Sequence, residues 1–280
     1  MRIWSVATLL FLALGCRATP STDKTPDETD TDTDADSDAD SDTDADTDSD
    51  TELTPCPTAP DPTGAWPDHP IALAGAAITT TPYSFDAGVQ AVRDAAIAAG
   101  TTNATVSLAV TGAIVTARAY VPAAPTNNTA TFWFEDVNGP MQAYIVDVGF
   151  DPNNLKPGDE VSFTATEVVT FFGVPEVTAI SGFTVDSTAN DVHVSDGNDG
   201  LTMDDLNAVV NLWGQLTTTG SPCGGDAVCF DMTTAGGIEL FRTESTFDVR
   251  GDCIHYIGPI STFDGAPQIN ATLFDWYYYY

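Results

Sequence analysis

Hydrophobic residues form one block at the start of the chain, are scarce in the stretch that follows, and alternate with polar residues after about residue 100. The first block, Ile3–Leu14, is apolar apart from Ser5 and Thr8. It follows the basic Arg2, ends in small residues, and is too short to cross about 30 Å of hydrocarbon comfortably. This pattern predicts a secretory signal peptide over residues 1–15.

The stretch after the signal is acidic at every second position. From Glu28 to Glu52 each even-numbered residue is a carboxylate, with Thr, Ser or Ala between them. These charges lie closer together than the Debye length of about 8 Å and repel one another, and no large apolar residue offsets the entropy of ordering. Residues 16–60 are therefore predicted to be a disordered tether. Specific calcium binding is not predicted, because loops with Asp-x-Asp spacing also need a Gly turn, which this run lacks.

One short helix is predicted between the tether and the strands. Ser84 can cap its start, and Gly100 can end it. Its apolar residues recur at helical spacing and share one face: Phe85, Val89, Val92 and Ala96.

The residues after this helix have the alternation of β-strands. The first strand segment, 106–114, contains Gly112, which predicts a bulge or bend. The pair Asn138-Gly139 is the strongest short hairpin signal and joins segments 130–136 and 141–148. Turn residues at 155–159 and at 173–175 lead into the last two segments, which begin at Val161 and Val177.

A bent strand, a hairpin pair, a Pro-Gly-Asp turn and two closing strands resemble the five-stranded OB-type barrel. The resemblance implies an all-β domain over residues 84–187, with its helix before the first strand and only residues 150–155 between the third and fourth. A β-sandwich also uses short alternating strands, so a tandem β-sandwich is the alternative fold.

The same order of segments recurs in residues 188–280. Four segments match in order: 212–216 with 110–114, 228–231 with 132–135, 251–256 with 158–163, and 265–269 with 173–177. The recurrence predicts a second OB-like barrel, with the boundary near residues 187–191. The last residues, Phe274–Tyr280, either continue its final strand or form a terminal recognition segment. The whole resembles tandem OB-like modules of secreted and surface-anchored bacterial proteins, a resemblance that transfers little function.

The charge of the chain is strongly negative. The formal net charge is -33, and residues 80–280 alone hold 24 acidic and five basic side chains. Nucleic-acid binders neutralise phosphates with Lys and Arg. The composition therefore predicts no nucleic-acid partner, while a protein or glycan partner fits it.

The end of the signal, Ala13-Leu14-Gly15-Cys16, resembles a bacterial lipobox, although Ala13 stands where Leu is commonest. The resemblance implies that Cys16 carries the lipid and becomes the first residue of the mature protein. Arg17 is not the Asp that resembles an inner-membrane retention signal, so a lipid-anchored, surface-exposed outer-membrane location is expected. The alternative is an ordinary signal peptide with an incidental cysteine.

Four further cysteines remain, and an even number in an exported chain predicts two disulfides among three pairings. Cys223 and Cys229 flank a Gly-Gly-Asp loop that can fold back, which leaves Cys56 to pair with Cys253. In an OB layout the strands that carry Cys229 and Cys253 are separated by the first strand, which argues against joining those two.

Four aromatic residues are candidates for a ligand platform on a barrel face: Trp133, Phe171, Phe172 and Trp213. The alternative is that they fill the cores or the seam between the barrels.

Catalytic motifs are missing from the sequence. There is no Gly-x-Ser-x-Gly, no His-Glu-x-x-His and no phosphate loop, and the three histidines are dispersed. No enzyme activity, cofactor or metal is therefore predicted. The preferred hypothesis is a non-enzymatic, lipid-anchored cell-envelope protein whose barrels bind a protein or glycan. The alternatives are an OB-fold nucleic-acid-binding protein and a hydrolase that uses paired carboxylates.

Overall fold

A computed structural model describes residues 53–58, 66–119, 128–272 and 276–280, which belong to one compact unit. The predicted signal peptide, Cys16 and the acidic run lie outside the described residues. The described part is mostly β-structure, as predicted. None of its helices is long and apolar enough to cross a membrane.

Five strands close the first barrel. They are β2 (Ala104–Arg118), β3 (Thr129–Asp136), β4 (Gly139–Asp147), β5 (Glu160–Phe171) and β6 (Val174–Ser187). They pair in the order β2-β3-β4-β6-β5, with β2 also paired to β5, and this order, 1-2-3-5-4, is that of an OB-type barrel. The Asn138-Gly139 hairpin forms, and β2 shifts register at Gly112, which has φ 74°.

Helix α2 (Val89–Ala99) covers one end of this barrel with Val89, Val92 and Ala96, and Gly100 ends it. The predicted start at Ser84 is wrong, because the N-cap is Gly88, and Phe85 lies outside the helix. A distant carboxylate replaces the local cap: Asp136 Oδ2 accepts hydrogen bonds from the backbone N–H groups of Ala87 (2.8 Å) and Val89 (3.1 Å). Between β4 and β5 the chain forms only a short 3-10 helix, Pro152–Asn154.

The second barrel has the same strand order. Its strands are β9 (Val209–Leu216), β11 (Val228–Thr233), β12 (Ile238–Thr243), β13 (Cys253–Phe263) and β14 (Ala266–Ala271). Strand β9 pairs with both β11 and β13, which closes the ring. The four segments that match along the sequence thus lie on equivalent strands, and the predicted pair of five-stranded barrels is confirmed. Two short strands extend this sheet, β8 (Ser195–Asp196) and β10 (Ser221–Pro222).

The last strand of the second barrel is split. Strand β14 pairs with residues Ile260–Phe263 of β13. Strand β15 (Tyr277–Tyr279) pairs with residues Ile254–Tyr256 of the same strand β13. In the first barrel the single strand β6 pairs with β5 along its whole length. The terminal tyrosines therefore continue the last strand of the barrel.

Residues that precede the first barrel pack against the second. Helix α1 (Pro70–Leu73) places Ile71 in the core of the second barrel, and β1 (Ile78–Thr79) pairs with β7 (Val192–His193). Gln215 Nε2 donates to Thr54 O (2.7 Å), and Cys56 is bonded to Cys253. We call residues 53–58 and 66–79 the N-terminal strap. The predicted second domain, 188–280, does not include this strap.

Candidate functional site: the groove between the barrels

The two barrels meet over the outer face of the first. Trp133 points out of its own barrel, is 8% exposed, and packs in the core of the second barrel, where its ring lies edge-on to Trp276 at 5.4 Å. Nearby Glu135 pairs with His193 Nδ1 at 2.7 Å, with both side chains buried. The outer face of strands 2 and 3, which OB barrels commonly use for ligands, is thus partly occupied by contacts within the chain.

A groove of about 510 Å³ opens where this seam reaches the surface. We call it the inter-barrel groove. Its lining comes from α2, the β3–β4 turn, the β5–β6 hairpin and the segment that leads into β9: Arg93, Ile97, Gly100, Asn138, Gly139, Pro140, Thr170, Gly173, Pro175, Met203, Asp204, Leu206 and Asn207.

The segment from the second barrel is shaped by a capping box. Thr202 accepts a hydrogen bond from Asp204 N, and Asp205 Oδ2 accepts one from Thr202 N (2.7 Å), which starts the 3-10 helix Met203–Asp205. Asn207 follows with φ 70°, a conformation that Asn tolerates better than most residues. This turn places the Asn207 side chain against the first barrel.

Asn207 is 3% exposed and has an unpaired oxygen. Its Nδ2 lies 3.5 Å from Pro175 O, and because that carbonyl can only accept, the amide nitrogen must face it. Its Oδ1 has no hydrogen-bond partner among the described residues. Such a group raises the free energy of the folded protein until a donor reaches it.

Arg93 is the cation of the groove. Its guanidinium donates to Asn138 O (2.8 Å) and Pro140 O (2.6 Å), which fixes the β3–β4 turn against α2. Burial lowers the pKa of Arg93, while the carboxylates of Asp136 and Asp94 act in the opposite direction. The guanidinium of Arg93 is thus half-buried and held by two backbone carbonyls, so Arg93 acts in the groove as a hydrogen-bond donor.

The hairpin that borders the groove ends in two exposed aromatic rings. Phe171 is 54% and Phe172 79% exposed, and their ring centroids lie 4.5 Å apart. We call these two residues the aromatic tip. The corresponding hairpin of the second barrel lies beside it, since a Cβ placed on Gly173 would be 3.9 Å from Thr262 Cγ2.

The structure does not bring the four predicted platform residues together. Trp133 lies in the seam, and Phe171 and Phe172 form the tip. Trp213, which is half-buried, lines a cavity with Pro55 and Cys56 of the strap. Of the four residues, Phe171 and Phe172 are the ones that are more than half exposed.

Sequence analysis missed the groove residues Arg93, Ile97, Met203 and Asn207. They come from distant parts of the chain and carry no shared motif. The Thr202-x-x-Asp205 capping box was a local signal for the turn before Asn207, but nothing in the sequence indicates which barrel that turn contacts.

Both disulfides of the sequence analysis are present, Cys56–Cys253 and Cys223–Cys229, each with a Cα–Cα distance of 5.7 Å. The first ties the strap to the start of β13. The second closes the short loop before β11.

No protein-family model matches this chain, and no curated protein matches it. Solved structures do. The tetrameric p202 HIN2 domain matches over 72% of this chain and 98% of its own, at 12% identity and a TM-score of 0.34. A murine DNA-binding protein bound to double-stranded DNA matches over 62% and 97%, at 12% identity and a TM-score of 0.32. The Ifi202 HINa domain with a 20-bp DNA duplex matches over 61% and 97%, at 8% identity and a TM-score of 0.28.

Two of these similar structures hold double-stranded DNA, and this finding contradicts two predictions. The exclusion of nucleic acid is wrong as stated, because it rested on net charge alone, which does not describe a local surface. The hypothesis that the barrels serve to bind a protein or glycan is corrected by the same finding, which fits the nucleic-acid-binding alternative better. Lipid attachment at Cys16 and the outer-membrane location concern residues outside the described part and stay predictions.

Proposed function

We propose that the two barrels form a non-catalytic binding module that takes an unpaired base of a single-stranded nucleic acid into the inter-barrel groove. The observation that carries the proposal is Asn207, which lines the groove, is 3% exposed and leaves Oδ1 without a partner among the described residues. Oδ1 is itself closed to solvent, so a ligand donor reaches it only once the Asn207 side chain turns into the groove, and that hydrogen bond would then remove the cost of the unpaired oxygen.

The other groove residues complement a nucleobase. Ile97, Met203 and Leu206 offer apolar contacts for the faces of a flat ring. Arg93 supplies donors and Asn207 an acceptor for the edge of the ring. Bases combine apolar faces with donors and acceptors on their edges, and ligand sites typically combine an apolar lining with a few polar groups.

A single strand fits better than a duplex. Only an unpaired base exposes its Watson–Crick edge and can leave the stack without the cost of breaking a pair. The DNA-bound similar structures hold duplexes, so a duplex belongs in the test as a separate arm.

Electrostatics decide the orientation of the strand. Residues 80–280 have five basic and 24 acidic side chains, so phosphates gain little from this surface. Arg93 is half-buried, and its guanidinium is bound to the carbonyls of Asn138 and Pro140. Bases would therefore enter first and phosphates would stay in solvent, which predicts an unusual salt dependence.

The test is fluorescence anisotropy with labelled single-stranded DNA, single-stranded RNA and duplex DNA, using the full chain with its disulfides formed. We expect single strands to bind and their affinity to stay level or rise between about 50 and 200 mM salt, because salt screens repulsion instead of displacing counterions. Absence of single-strand binding would contradict the proposal. So would tighter duplex binding, or a steep loss of affinity with salt.

The Asn207→Gly variant tests the groove itself. Glycine adopts the positive φ of this position and removes the side chain, so we expect the fold to be retained. We expect affinity for single strands to fall roughly 2- to 10-fold, as one hydrogen bond is lost. Ala189→Gly is the matched control, because Ala189 is exposed and has φ 57°. If the two variants bind single strands with equal affinity, the groove is not the binding site.

A further inference from the structure

The hairpin beside the groove holds a phenylalanine in a conformation that bulky residues rarely adopt. Phe171 pairs with Val174, so Phe172 and Gly173 are the two turn residues, with φ 47° and 87°. Such two-residue turns strongly favour Asn, Asp or Gly at the first position. The second barrel follows this preference in its equivalent turn, Asp264-Gly265, with φ 50° and 81°.

Packing does not explain Phe172. Phe172 is 79% exposed, and its ring lies against that of Phe171, which is itself 54% exposed. The backbone strain is thus not offset by buried apolar surface. Strained residues cluster at functional sites, so a strained and exposed aromatic residue at a loop tip suggests a functional role.

The tip is continuous with the inter-barrel groove. Thr170 and Gly173, the residues on either side of the two rings, both line the groove. No residue of the hairpin from Thr170 to Val174 is charged, so the tip offers aromatic surface and no ion pair.

We infer that Phe171 and Phe172 form a stacking subsite for the base that follows the one held in the groove. This inference rests on the proposed function and adds that the ligand is a chain of at least two bases. Base stacking on an aromatic ring needs no cation and tolerates any base. Base stacking therefore suits this surface, which has few basic side chains to bind phosphates.

The experiment is the Phe172→Asn variant, which restores the preferred Asn-Gly turn and deletes the ring. We expect its thermal stability to be equal to or above that of the wild type, because the strain is relieved. We expect its affinity for a single-stranded oligonucleotide to fall roughly 5- to 100-fold, while the affinity for free adenosine, which reaches only the groove, stays unchanged. Asp264→Asn makes the same turn in the second barrel without removing a ring; because it removes a carboxylate from the neighbouring hairpin, it should leave adenosine affinity unchanged and should not lower oligonucleotide affinity.

The outcomes separate this inference from the function on which it rests. If Phe172→Asn binds oligonucleotides like the wild type while Asn207→Gly does not, the subsite is overturned and the groove stands. If the variant loses stability and adenosine binding together, Phe172 has a structural role and the subsite is likewise overturned.

A membrane contact is a further possible outcome for the tip. It would be shown if the wild type, but not the variant, cosediments with phosphatidylcholine vesicles while oligonucleotide affinity is unchanged. If the wild type binds neither adenosine nor oligonucleotides, the proposed function fails and the subsite fails with it.

Discussion

Three buried ionisable side chains impose opposite pH dependences on this protein. Burial lowers the pKa of His69 and of His255 to about 4, and burial raises the pKa of Glu176 to about 7. In the unfolded chain the histidines take up protons near pH 6.5, whereas in the folded protein they stay neutral down to about pH 4. The free energy of unfolding is therefore highest above pH 6.5 and falls as the pH drops towards 4. For Glu176 the sign is reversed. Its folded carboxyl keeps a proton that the unfolded one has lost, and stability falls as pH rises from 4.5 through 7.

The Glu176→Gln variant should therefore be more stable than the wild type at pH 8. The expected gain is on the order of 1–2 kcal/mol, because the amide removes the cost of burying a charge, reduced by solvent screening. The gain should shrink to a few tenths of a kcal/mol near pH 4.5, where the folded carboxyl is protonated and the unfolded one is half protonated. Urea unfolding at both pH values measures it. Glu244→Gln, at an exposed position, is the control, and a gain independent of pH would contradict the assignment to Glu176.

At the scale of elements, helix α2 depends on a strand for its start. Asp136, at the end of β3, is 1% exposed and accepts hydrogen bonds from Ala87, Val89 and Asn138. One carboxylate thus caps the helix and shapes the β3–β4 turn that borders the groove. The N-cap Gly88 has no side chain, and the local acceptor Asp86 Oδ1 binds the N–H of Gly88 (2.9 Å) and not an N–H within the helix. Helix, turn and groove are therefore coupled through a single side chain.

Replacing Asp136 by alanine should destabilise the protein by about 2–4 kcal/mol. Three backbone donors lose their acceptor, two of them at a helix start, and a lost cap alone typically costs about 1 kcal/mol. Asp147→Ala is the matched control, because Asp147 accepts one comparable bond, from Gly149 N, in an exposed turn. Chemical denaturation compares the two. Equal losses would mean that Asp136 does not act as the remote cap.

At the scale of the whole molecule, the strap makes the two barrels one unit. Residues that precede the first barrel pack on the second, where His69 Nε2 bonds to Ile257 O (2.9 Å) and the Trp66 ring lies 4.5 Å from that of Tyr278. The Cys56–Cys253 bond closes a separation of 197 residues around this arrangement. The Cys223–Cys229 bond closes one of six.

Loss of the long-range disulfide should cost more stability than loss of the short one. The loop-entropy relation gives about 5 kcal/mol for the first and about 2 kcal/mol for the second, because the longer loop restricts the unfolded chain more. The paired Cys→Ser variants, Cys56 with Cys253 and Cys223 with Cys229, can be compared by thermal unfolding under non-reducing conditions. A larger loss for the short loop would show that native contacts near β11, and not chain entropy, dominate.

The strand elements and the duplication could be predicted from the sequence, because both are local or repeated signals. Alternation of apolar residues, the Asn138-Gly139 turn and the four matching segments depend on neighbours in the chain, and each survives in the fold. The helix was predicted, but its start was not. Ser84 is a good local cap, yet the carboxylate of Asp136 from another element takes that role.

The candidate site was decided by tertiary structure. Arg93, Gly173 and Asn207 lie far apart in the chain and meet only because one barrel packs on the face of the other. Trp133 was a fair candidate for an open platform until that packing buried it. Local periodicity determines which strands form and which side each residue takes. Which outer face stays exposed depends on contacts between distant strands, and no local pattern in this chain encodes them.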